Sequence, residues 1–325
     1  MANSILVVGE VADGALVPIT AEMLGAARRL GAGSVACVLI GSGVEANAKD
    51  AIAFGADEAL VVDGGDFAAY NPDAYLQALL KVVESASPAI ILFGQTNLGR
   101  DLAPRLAFRL NTGVIMDTVE LALAGDRLQG TRPAYGGNAR AVNVVRADPQ
   151  IATVRAKSQN ALERDDARSG ATTNVDVTID ASAVRIKVTE RKGMPAEGVR
   201  LEDADVVVTG GRGMGGAENF DVIAQLAQVL GGAVGASRAV CDLGWRPVSE
   251  QIGLTGKVVS PTLYIAVGVS GASQHMAGCS GAKNIVAINK DPDANIFKSS
   301  RFGIVDDFSK VMKPLIEAAK SEKAS

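Results

Sequence analysis

The sequence predicts an α/β protein built from two domains, each around a mainly parallel sheet. Three observations carry that expectation. Short apolar runs alternate with helical periods over the first 110 residues. The apolar supply, 48% of the chain, is mostly Ala, Val, Leu and Ile beside 36 Gly, which suits buried strands under Ala-rich helices. A second strand, glycine turn and helix begin afresh near residue 205.

The runs Ile5–Val8, Val35–Ile40, Ala59–Val62 and Ile90–Phe93 have strand length. Between them, Ala21–Leu30, Glu45–Phe54 and Asp73–Glu84 space apolar residues by three and four, which gives a helix one buried face. Asn71-Pro72 marks a helix start, because Asn caps and Pro is tolerated in the first turn. Strands alternating with helices predict a parallel sheet covered on both faces. After Gly113 the period shortens. Val114–Leu123, Gly130–Pro133, Ala141–Val145, Ile151–Val154, Val175–Ile179 and Val184–Thr189 alternate apolar with polar residues. With turn signals at Gly125-Asp126 and Asp148-Pro149, they read as antiparallel hairpins added to the first sheet.

The polar stretch Glu190–Gly198 separates a domain of residues 1–193 from one of 194–325, and the segment around residues 190–200 is expected to act as a hinge. The second domain starts with the strand Asp205–Gly210 and the helix Asn219–Leu230. The strands Leu263–Val269, Ile285–Ile288 and Gly303–Val305 follow, then a last helix from about Ser309. The whole reads as a Rossmann-like parallel sheet with added antiparallel strands, followed by a smaller flavodoxin-like or Rossmann-like α/β domain.

Composition excludes several function classes. Aromatics are 4% and the basic residues are scattered, which argues against nucleic-acid binding. Cys37, Cys241 and Cys279 are far apart and odd in number, so neither a disulfide framework nor a zinc site is expected, and Cys37 in an apolar run reads as a buried thiol. No stretch of about 20 apolar residues would insert in a membrane. The first residues show no targeting pattern, and a cytoplasmic protein is expected.

The second domain concentrates the candidate chemistry. Gly211, Gly213 and Gly216 satisfy a GxGxxG spacing between a strand and a helix, where backbone N–H groups and the helix start favour an anion. The acidic residue a dinucleotide fingerprint wants about 20 positions on is missing from Gly231–Arg238, so a merely tight turn stays open. Ser237-Arg238 at a strand end suits a phosphate or developing negative charge. Gln251–Lys257 evokes a phosphate loop by its ending but lacks the spacing, while Thr255 between glycines suits close approach to a flat ligand. Val267–Gly278 runs from a strand through small residues into a short helix that carries His275. His275 is the chain's one histidine, which leaves a catalytic triad or histidine metal site hard to build. Asn289 ends another strand, on the ligand-facing edge of an open sheet. Asp306-Asp307 either meets a ribose or caps the last helix. Together these strand ends favour a nucleotide.

From Asp205 to about Leu315 the motif order resembles the alpha subunit of electron-transfer flavoproteins, the FixB family. The resemblance rests on Gly210-Gly-Arg-Gly213, Ser237-Arg238, Gly253-Leu-Thr-Gly-Lys257, Leu263–Gly268, Ser270-Gly271 with Gln274-His275, Ala287–Asp291 and Phe302–Asp306. The N-terminal half resembles the family more loosely, through its α/β start and Gly136-Gly-Asn138. The resemblance implies one FAD in the C-terminal domain. It also implies a beta subunit packing on the N-terminal domain and carrying AMP or a second FAD. By position, Arg212, Ser237, Ile252, Gly253, Leu254, Thr255, Ser270, Gly271, Ala272, Ser273, Gln274, His275, Asn289, Asp307 and Phe308 would contact FAD, with Arg238 close to the isoalloxazine. Thr255 would meet flavin N5 and His275 the pyrimidine carbonyl, while Arg238 and His275 would supply positive charge or donors where negative charge develops. Leu254 stands where many members have Gln.

The implied function is an electron carrier rather than an enzyme. It would take electrons from acyl-CoA-type dehydrogenases, as in fatty acid oxidation, to a quinone oxidoreductase or to a ferredoxin or flavodoxin. The alternatives are a subunit of an NADH-dependent bifurcating flavoprotein, an NAD-dependent dehydrogenase, and a nucleotide-binding regulatory module.

Overall fold

The structure, a computed structural model, describes residues 4–31, 33–137, 139–190 and 199–324. The chain divides into two compact units: Met1–Pro133 with Arg140–Lys192, and Ala134–Ala139 with Gly193–Ser325. The expected boundary at 193/194, and most of the expected hinge, fall on residues 191–198, outside the described residues.

In the first unit the strands are β1 (Ser4–Gly9), β2 (Ser34–Gly41), β3 (Glu58–Asp63), β4 (Ile90–Gly94), β5 (Val114–Thr118), β6 (Glu120–Ala124), β7 (Arg127–Ala134), β8 (Ala139–Val144), β9 (Gln150–Val154) and β10 (Ala171–Asn174). The helices are α1 (Pro18–Arg29), α2 (Ala48–Ala53), α3 (Pro72–Ala86) and α4 (Asn97–Arg109). Seven strands form one sheet in the order β10-β3-β2-β1-β4-β9-β5, every pair parallel. Period-two alternation splits each central strand between two cores. Ile5, Val7, Cys37 and Leu39 enter one, and Leu6, Val8, Val38 and Ile40 the other. Burial on both faces explains why these strands are nearly all apolar. Cys37 is fully buried and its thiol is pushed up to about 12 by desolvation, so it is inert.

The cap read at Asn71 is present: its side chain accepts from the N–H of Asp73 (3.0 Å) and Ala74 (3.4 Å). Helix α4 escaped sequence reading because Gly99 and Pro104 interrupt it, yet it buries Leu102, Ala103, Leu106 and Ala107. The antiparallel strands after Gly113 exist, β6 with β7 across Gly125-Asp126, but β8-β7-β6 form a sheet of their own. The strands β5 and β9 instead join the main sheet in parallel. Val175–Ile179 and Val184–Thr189 are not strands. Side chains of α3 and its cap bind their backbone instead: Asp180 N–H donates to Gln77 (2.8 Å), Arg185 N–H to Asp73 (2.9 Å), and Asn71 donates to Ile186 O (2.7 Å). Backbone groups satisfied this way have no need of a sheet partner.

The second unit contains β11 (Val206–Gly210), α5 (Asp221–Leu230), β12 (Ala233–Ser237), α6 (Arg238–Asp242), β13 (Gln251–Ile252), β14 (Leu263–Val267), α7 (Ser273–Cys279), β15 (Asn284–Asn289), β16 (Phe302–Val305) and α8 (Phe308–Ala324). The six strands run parallel in the order β13-β12-β11-β14-β15-β16. This is the doubly wound order 3-2-1-4-5-6, with the topological switch between β11 and β14. Core clusters cover both faces. No helix among the described residues is long and apolar enough to cross a membrane.

Candidate functional site

Parallel strands share one carboxyl edge. Gly210, Ser237, Ile252, Val267, Asn289 and Val305 end the six strands of the second unit, so every expected site residue ends or follows a strand on that edge. Ligands of open α/β sheets bind there, at the switch point.

At the switch point itself the glycine loop is used for packing. A Cβ at Gly211 would stand 2.2 Å from the Gly268 carbonyl oxygen, and one at Gly213 would stand 2.8 Å from it. The N–H groups of Gly211 and Gly213 donate to Val267 O (2.8 Å) and Gly268 O (3.0 Å), and those of Met214 and Gly215 close a turn on Gly211 and Arg212. Four N–H groups expected to cradle an anion are therefore already spent, and the GxGxxG spacing serves loop-to-loop contact. Exposed Arg212, carried on this turn, is what the loop offers outward.

The loop after β13 and helix α7 form a single piece. Leu254 N–H donates to Gln274 O at 2.7 Å, and Gly253 lies so close to Gly278 that a Cβ there would meet the Gly253 nitrogen at 2.3 Å. Ile252 is buried, Leu254 is 63% exposed, and the exposed Thr255 accepts from Gln251 Nε2 at 3.1 Å while keeping its own proton free to donate. Ser270, Ala272, Ser273 and Gln274 are exposed beside it, and Gly271 is buried. The structure thus brings Ile252, Gly253 and Leu254 against Gln274 and His275, with Thr255 next in the turn.

His275 points inward. It is 7% exposed, with Nε2 2.8 Å from the hydroxyl of Tyr264 and Nδ1 left without a hydrogen-bond partner. Desolvation pushes the imidazole down to about 4, opposed by the Ile252 backbone carbonyl, which the ring approaches without a well-aligned hydrogen bond. The ring is neutral at neutral pH, so of the positive charge or donors expected from Arg238 and His275, the imidazole supplies a donor or acceptor. Tyr264 went unnoticed as a site residue in sequence reading. Its signal was a polar-tipped aromatic inside the aliphatic run Leu263–Val267.

Arg238 is a second cation of this edge, beside Arg212. Its side chain is 69% exposed and its 3.4 Å pair with Asp242 is a surface pair, cheap to release. Ser237 precedes α6 without a side-chain capping bond, leaving its hydroxyl uncommitted to the helix. Asn289 is committed: Nδ2 donates to Val269 O (2.9 Å) and Oδ1 accepts from Asp291 N–H (3.0 Å). Asp307 accepts from Ser309 N–H (2.9 Å) and Oγ (2.7 Å), so it caps α8, and Phe308 is half-buried on the core. Those bonds hold the Asp307 carboxyl below its ordinary value.

Residues 5–180 match the electron transfer flavoprotein domain, and residues 200–280 match the electron transfer flavoprotein FAD-binding domain. The chain is 43% identical over 322 residues to the electron transfer flavoprotein subunit alpha of Bacillus subtilis, covering 98% of each chain. It is 45% identical over 326 residues to that of Thermoanaerobacterium thermosaccharolyticum, covering 99% of each. Protein FixB of Clostridium saccharobutylicum is 40% identical over 325 residues, 98% of this chain and 96% of that one. The chain belongs to the electron transfer flavoprotein alpha subunit family. The family's role is electron transfer, and its FAD-binding domain assigns a flavin cofactor. The FAD-binding match spans β11 to α7, and so takes in Arg212 through His275 but not Asn289, Asp307 or Phe308.

The residues present fit such a group. A buried imidazole nitrogen without a partner, a threonine hydroxyl free to donate and a loosely held arginine lie on one sheet edge. Donors and a cation of this kind favour added negative charge on a bound ring, which tunes a potential.

Proposed function

We propose that this electron transfer flavoprotein alpha subunit holds one FAD on the carboxyl edge of its second unit. Arg212, Ser237, Arg238, the Ile252–Thr255 turn and the Ser270–His275 segment would form the contacts, with Asn289 and Asp307-Phe308 bracing the far loops. The observation that carries the reading is the buried, unpartnered Nδ1 of His275 beside the Ile252–Thr255 turn, within the stretch that matches the FAD-binding domain. A buried polar atom without a partner is costly, and a ligand acceptor would relieve that cost.

In this reading FAD supplies reversible electron uptake when bound. The chain orients it, shields one edge and places donors and Arg238 where negative charge develops. The chain pairs in the cytoplasm with a beta subunit that carries AMP or a second FAD. Electrons come from an acyl-CoA-type or related dehydrogenase and leave to a quinone oxidoreductase, ferredoxin or flavodoxin. An NAD-dependent dehydrogenase fits less well, since the glycines that suggested it are spent on packing against Gly268.

Co-expression with the beta subunit, copurification and an absorbance spectrum test the proposal. One FAD per heterodimer is expected, and two would favour the NADH-dependent bifurcating form. A colourless complex that does not rebind FAD would refute the reading.

A further inference from the structure

Tyr264 is fully buried in the middle strand β14, and burial and its neighbours push its phenol well above the ordinary value. It keeps its proton, and a buried hydroxyl proton needs an acceptor. Three polar groups adjoin it. Thr209 Oγ1 lies near the phenol but is too poorly placed to form a well-aligned hydrogen bond, and Cys279 Sγ is turned to the His275 carbonyl at 3.6 Å. The remaining group is His275 Nε2, at 2.8 Å. Cys279, pushed up to about 12, and Tyr264 are the titratable groups packed on the imidazole, and neither is charged at neutral pH.

A neutral imidazole has one proton to place. If Nε2 held it, the Tyr264 proton would lack a well-placed acceptor and Nδ1 would present a lone pair towards the Ile252 backbone. If Tyr264 donates to Nε2, both protons are used well, and Nδ1–H faces the turn that carries Thr255.

We infer that Tyr264 is a positioning residue: its phenol donates to His275 Nε2, fixes the ring's orientation, and locks the single imidazole proton on Nδ1, where it is offered to the bound ligand. The geometry is that of a histidine whose tautomer is set by the hydrogen bond its other nitrogen makes. The inference rests on the flavin reading only for the identity of that ligand. His275 then acts as a permanent neutral donor, and its contribution stays constant across the pH range in which free histidine titrates.

The chain contains one histidine, so its ring nitrogens can be observed without assignment ambiguity. The experiment uses the full chain labelled with [15N]histidine, carrying a tag without histidine, in the FAD-loaded complex with an unlabelled partner. A pyrrole-type Nδ1 and a pyridine-type Nε2 are expected, unchanged from pH 5.5 to 8. Tyr264→Phe should retain FAD but redistribute the proton between the nitrogens. It should also lower the site's preference for reduced over oxidised FAD by about tenfold, or about 59 mV for one electron. A protonated Nε2 in the wild-type spectrum overturns the inference, and so does a Tyr264→Phe protein with unchanged shifts and potential. Should that variant not fold, the wild-type spectrum decides alone. A protein that binds no FAD yet shows Nδ1–H would sink the flavin assignment and leave the tautomer lock standing.

Discussion

Gly278→Ala tests whether the contact between α7 and the Gly253 turn shapes the site. The added methyl carbon would lie 2.3 Å from the Gly253 nitrogen and 2.5 Å from its Cα. Reaching ordinary carbon contact requires helix and turn to separate by about 1 Å. Both partners are backbone, so no side chain can swing aside. Overpacking of this kind costs about 1–3 kcal/mol. For a unit of this size that lowers the melting temperature by roughly 3–10 °C. The strain falls on the 2.7 Å bond from Leu254 N–H to Gln274 O, which fixes the turn that presents Thr255. If the turn yields, FAD binding weakens by about 5- to 150-fold, the same energy expressed as affinity. Thermal melting of the FAD-free complex and fluorescence titration with FAD measure the two effects. Ser280→Ala, an exposed change just past the same helix, is the control. A Gly278→Ala protein that melts and binds FAD like wild type would refute the argument that backbone-to-backbone packing positions this turn.

Two further outcomes follow from charges at opposite extremes of burial. Arg238→Ala removes an exposed cation whose only ion pair among the described residues is with Asp242, so melting should hardly change while the FAD midpoint falls by about 10–40 mV per electron. An unchanged midpoint in a reductive titration would remove Arg238 from the tuning role. Glu10, in the first unit, is raised from 4.5 to about 7 by burial, with Thr96 donating to it at 2.7 Å. The folded state therefore keeps a proton that the unfolded chain releases, so the Glu10 contribution to stability is full below pH 4.5 and is lost, by about 3 kcal/mol, as pH rises through 7. Glu10→Gln should reduce that slope in denaturant melts at pH 5 to 8, leaving the part due to Glu22, also raised to about 7 by burial. Parallel slopes in wild type and variant would contradict the buried-carboxyl account.

The parts of the fold legible in the sequence are those where one physical signal dominates. Ile5–Val8 and Val35–Ile40 had to be buried strands because apolar side chains on both faces leave them no solvent face. The Asn71-Pro72 start was legible because cap chemistry is local. Val175–Ile179 and Val184–Thr189 misled because alternation is necessary for an edge strand but does not secure a partner. Gln77, Asp73 and Asn71, a hundred residues earlier, satisfy that backbone instead. In the site, the strand-end positions were legible, since each motif follows an apolar run. The bonds within it were less so: Asp307 caps the last helix, one of the two roles its position allowed, and Asn289 holds the Val269 carbonyl. That His275 would be a neutral donor or acceptor and not a cation was not legible, because burial against Tyr264 is a tertiary fact.

The glycines show why a motif read in one dimension needs three to interpret. Gly211 and Gly213 have the spacing of a phosphate loop, but their missing side chains admit Gly268 at the point where the strand order reverses. Their N–H groups are consumed in that closure. Once the β11 and β14 loops are closed on each other, the seam cannot itself enclose a ligand. Free donors then remain where the sheet edge continues outward: at Thr255, at Nδ1 of His275 and along the Ser270–Gln274 segment. The glycine pair at the switch point thus makes a rigid floor, and the second pair, Gly253 with Gly278, attaches to that sheet edge the turn that varies at Leu254. A site built this way separates what must not move from what can be retuned. Substitutions at Leu254 or Arg238 should therefore shift potential or partner contact, whereas substitutions at Gly211, Gly213, Gly253 or Gly278 should damage binding and stability together.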